Sequence, residues 1–221
     1  MIKAVLFDLD GTLLNRDASI ERFANAQYEH LYEYVKHIPR KKYVSRFIEL
    51  DCRGYVWKDE VYQQMIEEFN LTGLSWEHLL KDYVDHFKNH CVPFPNLSKM
   101  LASLKSKSIV LGIISNGKGK FQINNIKALG IENYFETILI SEAEGIKKPD
   151  PRIFKKALQK LHVSAADCLF VGDHPENDVK AAQNVGMIGA WKKNLQWSNV
   201  DADFIVTDLM EILTIVERFE V

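Results

Sequence analysis

From residue 96 to the end of the chain, short apolar runs alternate with stretches of helical periodicity. The spacing predicts a helix over 96–107, a strand over 109–114, a helix over 118–129 and a short strand over 137–140. It continues with a helix over 150–161, a strand over 168–171, a helix through 185, strands over 187–191 and 204–206, and a last helix from 208. These strands are apolar throughout instead of alternating, as in a parallel sheet covered by helices on both faces. Asp150 followed by Pro151 marks a helix start, an acceptor side chain at the cap and a pre-set φ at the first helical position. The chain opens on a further run of strand type, Ile2-Lys3-Ala4-Val5-Leu6-Phe7.

Residues 17 to about 90 carry a different pattern, with four amphipathic helical stretches and no strand. Ile20, Phe23, Ala24, Gln27, Leu31 and Val35 form the first; Tyr43, Val44, Phe47 and Ile48 the second. Val61, Met65, Ile66 and Phe69 form the third, and Leu79, Leu80, Tyr83, Val84 and Phe87 the fourth. The expected fold class is therefore α/β: a doubly wound, Rossmann-like parallel sheet with an α-helical bundle inserted after its first strand. The expected boundaries are a sheet domain of 1–16 and 92–221 and a helical domain of 17–91, with Pro93 and Pro95 stiffening the return path.

Composition narrows the partners. With 28 Lys and Arg against 30 Asp and Glu, the chain has no basic excess of the kind nucleic-acid binding needs. No segment reaches 18 uninterrupted apolar residues, and the N-terminus lacks a signal-peptide core. Cys52, Cys91 and Cys168 are odd in number, far apart and in no metal spacing, which fits reduced, buried thiols in a cytoplasmic protein. The expectation is a partner that is a small molecule, with no nucleic acid, no membrane and no obligate protein partner.

The chemistry gathers at the ends of the strands. Asp8-Leu9-Asp10-Gly11-Thr12 closes the first apolar run, and acids two residues apart share one side of an extended backbone. Taken alone, such a pair is more often a turn or cap. Ser115-Asn116-Gly117 follows the 109–114 strand, Lys147-Lys148-Pro149 the short strand, and Gly172-Asp173 the 168–171 strand, with Asn177 and Asp178 opening the next helix. In an open parallel sheet the carboxyl ends of the strands are where ligands bind, and all four clusters fall there.

These motifs, in this order, resemble those of the haloacid dehalogenase-like (HAD) superfamily hydrolases, in the branch whose helical cap follows the first strand. The resemblance covers nearly the whole chain. It implies a magnesium-dependent phosphomonoester hydrolase acting on a small phosphorylated metabolite through an aspartyl-phosphate. Asp8 is then the nucleophile, Asp10 the general acid and base, and Lys148 the cation that lets a carboxylate approach a phosphate dianion. Thr12, Ser115, Asn116, Gly117 and Lys148 would bind phosphate. Asp8, the Asp10 backbone carbonyl, Asp173, Asp178 and Asn177 would hold Mg2+, an ion that takes oxygen ligands and retains water. Asp10 speaks against dehalogenation, because a halide leaves without a proton. A phosphomutase of the same superfamily keeps both aspartates and is the enzymatic alternative; a non-catalytic receiver-like module phosphorylated on aspartate is the alternative of another class. Arg53 and Lys58 of the helical insert and Arg16, beside the hinge, are the candidate specificity contacts, the first two in a connection that also carries Gly54, Tyr55 and Trp57.

Overall fold

A computed structural model describes residues 1–220. The chain divides into two compact units, one made of Met1–Asn15 and the chain from Pro93 onward, the other of Arg16–Val92. The first holds six strands among the described residues: β1 (Ala4–Phe7), β2 (Val110–Ser115), β3 (Thr137–Ile140), β4 (Cys168–Gly172), β5 (Ile188–Lys192) and β6 (Phe204–Val206). They form one sheet in the order β3-β2-β1-β4-β5-β6, with every neighbouring pair parallel. The chain builds outward from β1 to β3, then returns to the other side of β1 to lay down β4. That reversal opens a crevice beyond the carboxyl ends of β1 and β4. Leu6, Phe7, Ile113, Ile114, Phe170 and Val171 are all buried, as strands covered on both faces require.

The ladder extends beyond the apolar run at β2, β4 and β5. Ser115, expected just beyond the strand, is the last residue of β2 and is in register with Ile140 of β3. Hydrogen bonding ends a strand, and hydropathy marks that end only approximately.

The helical unit contains α1 (Arg16–His30), α2 (Tyr32–Val35), α3 (Arg40–Asp51), α4 (Lys58–Phe69) and α5 (Trp76–His86). The first amphipathic stretch is thus broken at Leu31 instead of running on to Val35. Phe23 of α1 anchors the core, with ring centroids 6.2 Å from Phe47, 5.1 Å from Tyr83 and 5.9 Å from Phe87. Cys52, just after α3, has a left-handed backbone (φ 45°) and is exposed, so the expectation of three buried thiols holds for Cys168 and fails for Cys52.

The remaining helices belong to the sheet unit: α6 (Leu97–Ser106), α7 (Gly119–Ala128), α8 (Ser141–Glu144), α9 (Pro151–Leu161), α10 (Ala181–Asn184) and α11 (Glu211–Glu217). α9 starts as its sequence predicts, with the Asp150 carboxylate accepting from the Arg152 N–H at 2.9 Å and Pro151 in the first turn. The helix expected through Val185 begins instead as a π turn over Pro175–Lys180, an irregularity often associated with functional sites. No helix among the described residues is long and apolar enough to cross a membrane.

Candidate active site

Asp8 prolongs β1 by one hydrogen bond, its N–H donating to Val171 C=O of β4 at 2.9 Å. The chain then turns tightly: the N–H groups of Leu13 and Leu14 both donate to Leu9 C=O, at 3.0 and 2.9 Å. Gly11 in this turn has φ +84°, and a Cβ there would lie 2.3 Å from Asp173 Oδ2. Only glycine allows both the left-handed backbone and the approach of that carboxylate. The Asp8 carboxyl is buried, with Oδ1 accepting from Lys148 Nζ at 2.6 Å. The Thr12 hydroxyl lies 3.5 Å from Asp8 Oδ2, so the structure aims this predicted phosphate donor at the predicted nucleophile.

Lys148 is buried between two acids, donating also to Asp178 Oδ1 at 2.6 Å, whereas Lys147 beside it is exposed. The Asn116 side chain holds the lysine's backbone: Oδ1 accepts from Lys148 N–H at 2.8 Å, and Nδ2 donates to Lys148 C=O at 2.9 Å. Both ends of that amide are therefore engaged in placing Lys148, so the Asn116 side chain serves the lysine, and the expectation of a phosphate contact from this turn rests on its backbone N–H groups. The Gly117 N–H donates to Ser141 Oγ at 2.9 Å.

At the end of β4, Asp178 comes back over Gly172, where a Cβ would sit 2.5 Å from the Asp178 carboxyl carbon. Asp178 Oδ2 accepts from His174 N–H at 3.0 Å. His174 Nδ1 accepts in turn from the N–H groups of Glu176 and Asn177, each at 3.1 Å, so this histidine caps the π turn. Asp173 is held from β5 and the loop after it: Trp191 Nε1 donates to its C=O at 2.9 Å and Asn194 Nδ2 to its Oδ2 at 3.1 Å.

Oxygens of Asp8, Asp173 and Asp178 lie within 4.8 Å of one another. Burial, opposed by Lys148 and reinforced by Asp178 and Asp10, pushes Asp8 up to about 7. Burial, with Asp8 and Asp178 next, pushes Asp173 up to about 8. Burial disfavours the Lys148 ammonium, but Asp178 and Asp8 outweigh it and hold this lysine protonated well above its ordinary value. One ammonium thus faces three carboxylates whose charge it does not balance. An all-oxygen cluster short of positive charge fits a hard divalent cation such as Mg2+. Of the five predicted metal ligands, three converge as carboxylates; Asp10, expected to contribute its backbone carbonyl, has its carboxyl engaged by Gln122, and Asn177 lies on the π turn.

The Asp10 carboxyl meets a residue that the sequence did not single out. Gln122 of α7 is buried, and its Nε2 donates to Asp10 Oδ2 and, at 3.0 Å, to Ser115 Oγ. Asn125 Nδ2 donates to Gln122 Oε1 at 3.1 Å. The available signal was two amides, Gln122 and Asn125, beside Ile126 on the buried face of α7.

In the helical unit, Arg16 grips Asp51 with two hydrogen bonds, Nη1 to Oδ2 at 2.7 Å and Nη2 to Oδ1 at 2.8 Å. Lys58 Nζ donates to Asp51 Oδ1 and lies 5.0 Å from the centre of the Tyr83 ring. Lys58 and Asp51 are each 1% exposed. Burial pushes Asp51 up, but Arg16 and Lys58 outweigh it and hold the carboxyl below its ordinary value. The expectation that Arg16 and Lys58 contact substrate is corrected accordingly, since both are committed to Asp51. Arg53, with φ 56° and a side chain 43% exposed, reaches toward Asp17 at 3.7 Å.

A family model described as haloacid dehalogenase-like hydrolase matches residues 5–191. A glyceraldehyde 3-phosphate phosphatase of Pyrococcus furiosus is 37% identical, over 98% of this chain and 94% of that protein. A phosphoserine phosphatase of Thermus thermophilus is 32% identical, over 96% and 98%. Among solved structures, a HAD phosphatase from Thermococcus onnurineus superposes with a TM-score of 0.68 at 27% identity, over 97% of this chain and 98% of that one. Parallel sheet, strand-end acids, buried lysine and these likenesses agree, and the chain belongs to the haloacid dehalogenase-like hydrolase family, on its phosphatase branch.

Proposed function

We propose that this protein hydrolyses small phosphomonoesters with the help of magnesium, through a phosphorylated Asp8. The observation that carries this is the buried Asp8–Lys148–Asp178 arrangement with Asp173 beside it at the ends of β1 and β4. Asp8, Asp173 and Asp178 would hold the ion, together with the Asp10 backbone carbonyl and Asn177. Bound there, Mg2+ would neutralise phosphoryl oxygens and favour the ionised form of Asp8.

An Asp8 carboxylate oxygen attacks phosphorus, and the bond from phosphorus to the ester oxygen breaks. Asp10 gives its proton to the departing oxygen. Water then attacks the aspartyl-phosphate, its proton passing to Asp10, and phosphate leaves with Asp8 restored. Lys148 stays charged throughout, held by two acids, and screens the repulsion between Asp8 and the incoming dianion. The Ser115 hydroxyl donates to a phosphoryl oxygen.

Relatives that match along most of this chain include phosphatases named for glyceraldehyde 3-phosphate, phosphoserine and phosphoglycolate, and a protein named for pyrophosphate. We assign a small phosphorylated metabolite of two or three carbons as the substrate class here. Leaving-group recognition is assigned to the helical unit as a cap, with Arg53 as its exposed cation. Phosphate release from a panel of such esters, with para-nitrophenyl phosphate as the general probe, tests the proposal. Magnesium-dependent release that vanishes in Asp8→Asn supports it; release that survives exhaustive chelation or the substitution overturns it.

A further inference from the structure

We propose that Gln122 is a positioning residue of this reaction, its amide fixing the direction in which Ser115 donates and the place at which the Asp10 carboxyl stands. The inference rests on the phosphatase reading above and goes beyond it.

An amide nitrogen carries two hydrogens and accepts nothing. Both hydrogens of Gln122 Nε2 are committed, one to Asp10 Oδ2 and one to Ser115 Oγ at 3.0 Å. The opposite orientation of the amide would set Oε1 against the Asp10 carboxylate and Nε2 against the Asn125 NH2 group, which now donates to Oε1 at 3.1 Å. With Asp10 ionised, two attractive contacts would become two repulsive ones. Gln122 is 2% exposed and Asn125 fully buried, so water cannot readily relieve the mismatch. Gly117 leaves room for this side chain, since a Cβ there would lie 2.9 Å from the Gln122 Cγ.

Two consequences follow from the donor count. Ser115 Oγ is already an acceptor, so its single hydrogen is directed elsewhere and serves an anion arriving beyond the end of β2. A serine without that donor is free to rotate its hydroxyl to whichever acceptor is nearest. Asp10, for its part, is anchored through Oδ2, which leaves Oδ1 as the oxygen that exchanges a proton with the leaving group. One side chain thus couples phosphate binding to leaving-group alignment, and it does so from α7, outside the four strand-end clusters.

The test uses Gln122→Met, which keeps the packing under Gly117 and removes both hydrogens, with Gln122→Leu as a second variant. Two quantities are measured in the full chain with magnesium: inorganic phosphate binding by calorimetry, and kcat on glycerol 3-phosphate against kcat on para-nitrophenyl phosphate. Removing a buried donor should weaken phosphate by about tenfold, and in a Ser115→Ala background the same change should add nothing. kcat on glycerol 3-phosphate should fall about tenfold more than on para-nitrophenyl phosphate, whose leaving group needs little protonation. An unchanged phosphate affinity with an unchanged ratio overturns the inference. So does a uniform loss on both substrates that persists when Ser115 is absent, which would make Gln122 a packing residue. If Gln122→Met does not fold, Gln122→Leu is judged by the same numbers; if neither folds, Gln122 is structural and the inference falls. Wild-type protein that binds phosphate but hydrolyses neither ester defeats the phosphatase reading alone, and the phosphate arm still decides the role of Gln122.

Discussion

The sheet unit gathers Asp8, Asp178 and Asp173 around the ammonium of Lys148, while the helical unit sets the carboxylate of Asp51 between the cations of Arg16 and Lys58. Burial acts on both clusters in the same sense, against the charged form of an acid. The outcomes are opposite. Asp8 and Asp173 are pushed up to about 7 and about 8, whereas Asp51 is held below its ordinary value. A charge balanced by its neighbours serves the fold that surrounds it. A charge left unbalanced is destabilising until something else arrives; in the proposed function, what reaches the cluster at the ends of β1 and β4 is a cation and a phosphoryl group.

The sharpest way to break this comparison is to substitute one acid from each side. Asp8→Asn should lower turnover of para-nitrophenyl phosphate by roughly a thousandfold or more, since an amide is no nucleophile. The same variant, without metal at pH 8, should melt no lower than wild type, because it removes unbalanced charge. A clear drop in Tm would mean that Asp8 is structural. Asp51→Ala should do the reverse, costing about 3–5 kcal/mol of stability by denaturant titration, the usual result of removing one partner from a buried ion pair. A loss below about 1 kcal/mol would place Asp51 among ordinary surface ion pairs.

Proton linkage gives an intermediate effect. Asp8 and Asp173 keep their protons in the folded state to about 7 and about 8, but release them near the ordinary carboxylate value once unfolded. Across the interval the folded state holds more protons, so the stability of the metal-free protein should fall as pH rises from about 4 toward 8. Asp51 runs the other way: its contribution is present above the ordinary carboxylate value and is lost as pH falls below it. Thermal melts at pH 5 and pH 8, with and without 10-fold steps of Mg2+, read the first effect, and melts at pH 5 and pH 3 read the second. The ion should raise Tm more at pH 8 than at pH 5. Equal shifts at the two values would contradict a site made of these carboxylates.

The smallest effect sharpens the role of the helical unit. Arg53→Ala should lower kcat/KM for the preferred ester of the phosphometabolite panel by about tenfold, roughly 1.4 kcal/mol, and leave para-nitrophenyl phosphate nearly untouched. Equal losses on both would assign Arg53 to the structure of the loop at 51–58.

Local signals made the strands at 137–140 and 204–206 and the start of α9 legible before any coordinates, because an apolar run, a cap and a proline act over a few residues. Motif order brought Asp8, Asp10, Ser115, Lys148, Asp173 and Asp178 forward in the same way. Other roles were beyond its reach. Asn116 reads as a phosphate contact and its side chain clamps Lys148, 32 positions away; Lys58 reads as a specificity contact and is buried against Asp51. Gln122, an unremarked amide in a helical stretch, meets Asp10 across 112 positions.

By itself, then, the amino-acid sequence determined the alternation of strands and helices, the helical insert, and the acids, serine and lysine at the strand ends, all of which follow from periodicity, capping and motif spacing. Only the tertiary structure decided which lysine is buried, which amide faces which acid, and which carboxylates lack a balancing charge. Those choices depend on burial and on hydrogen bonds between residues far apart in the chain, where the register of the sheet and the packing of a helix face set each donor against its acceptor.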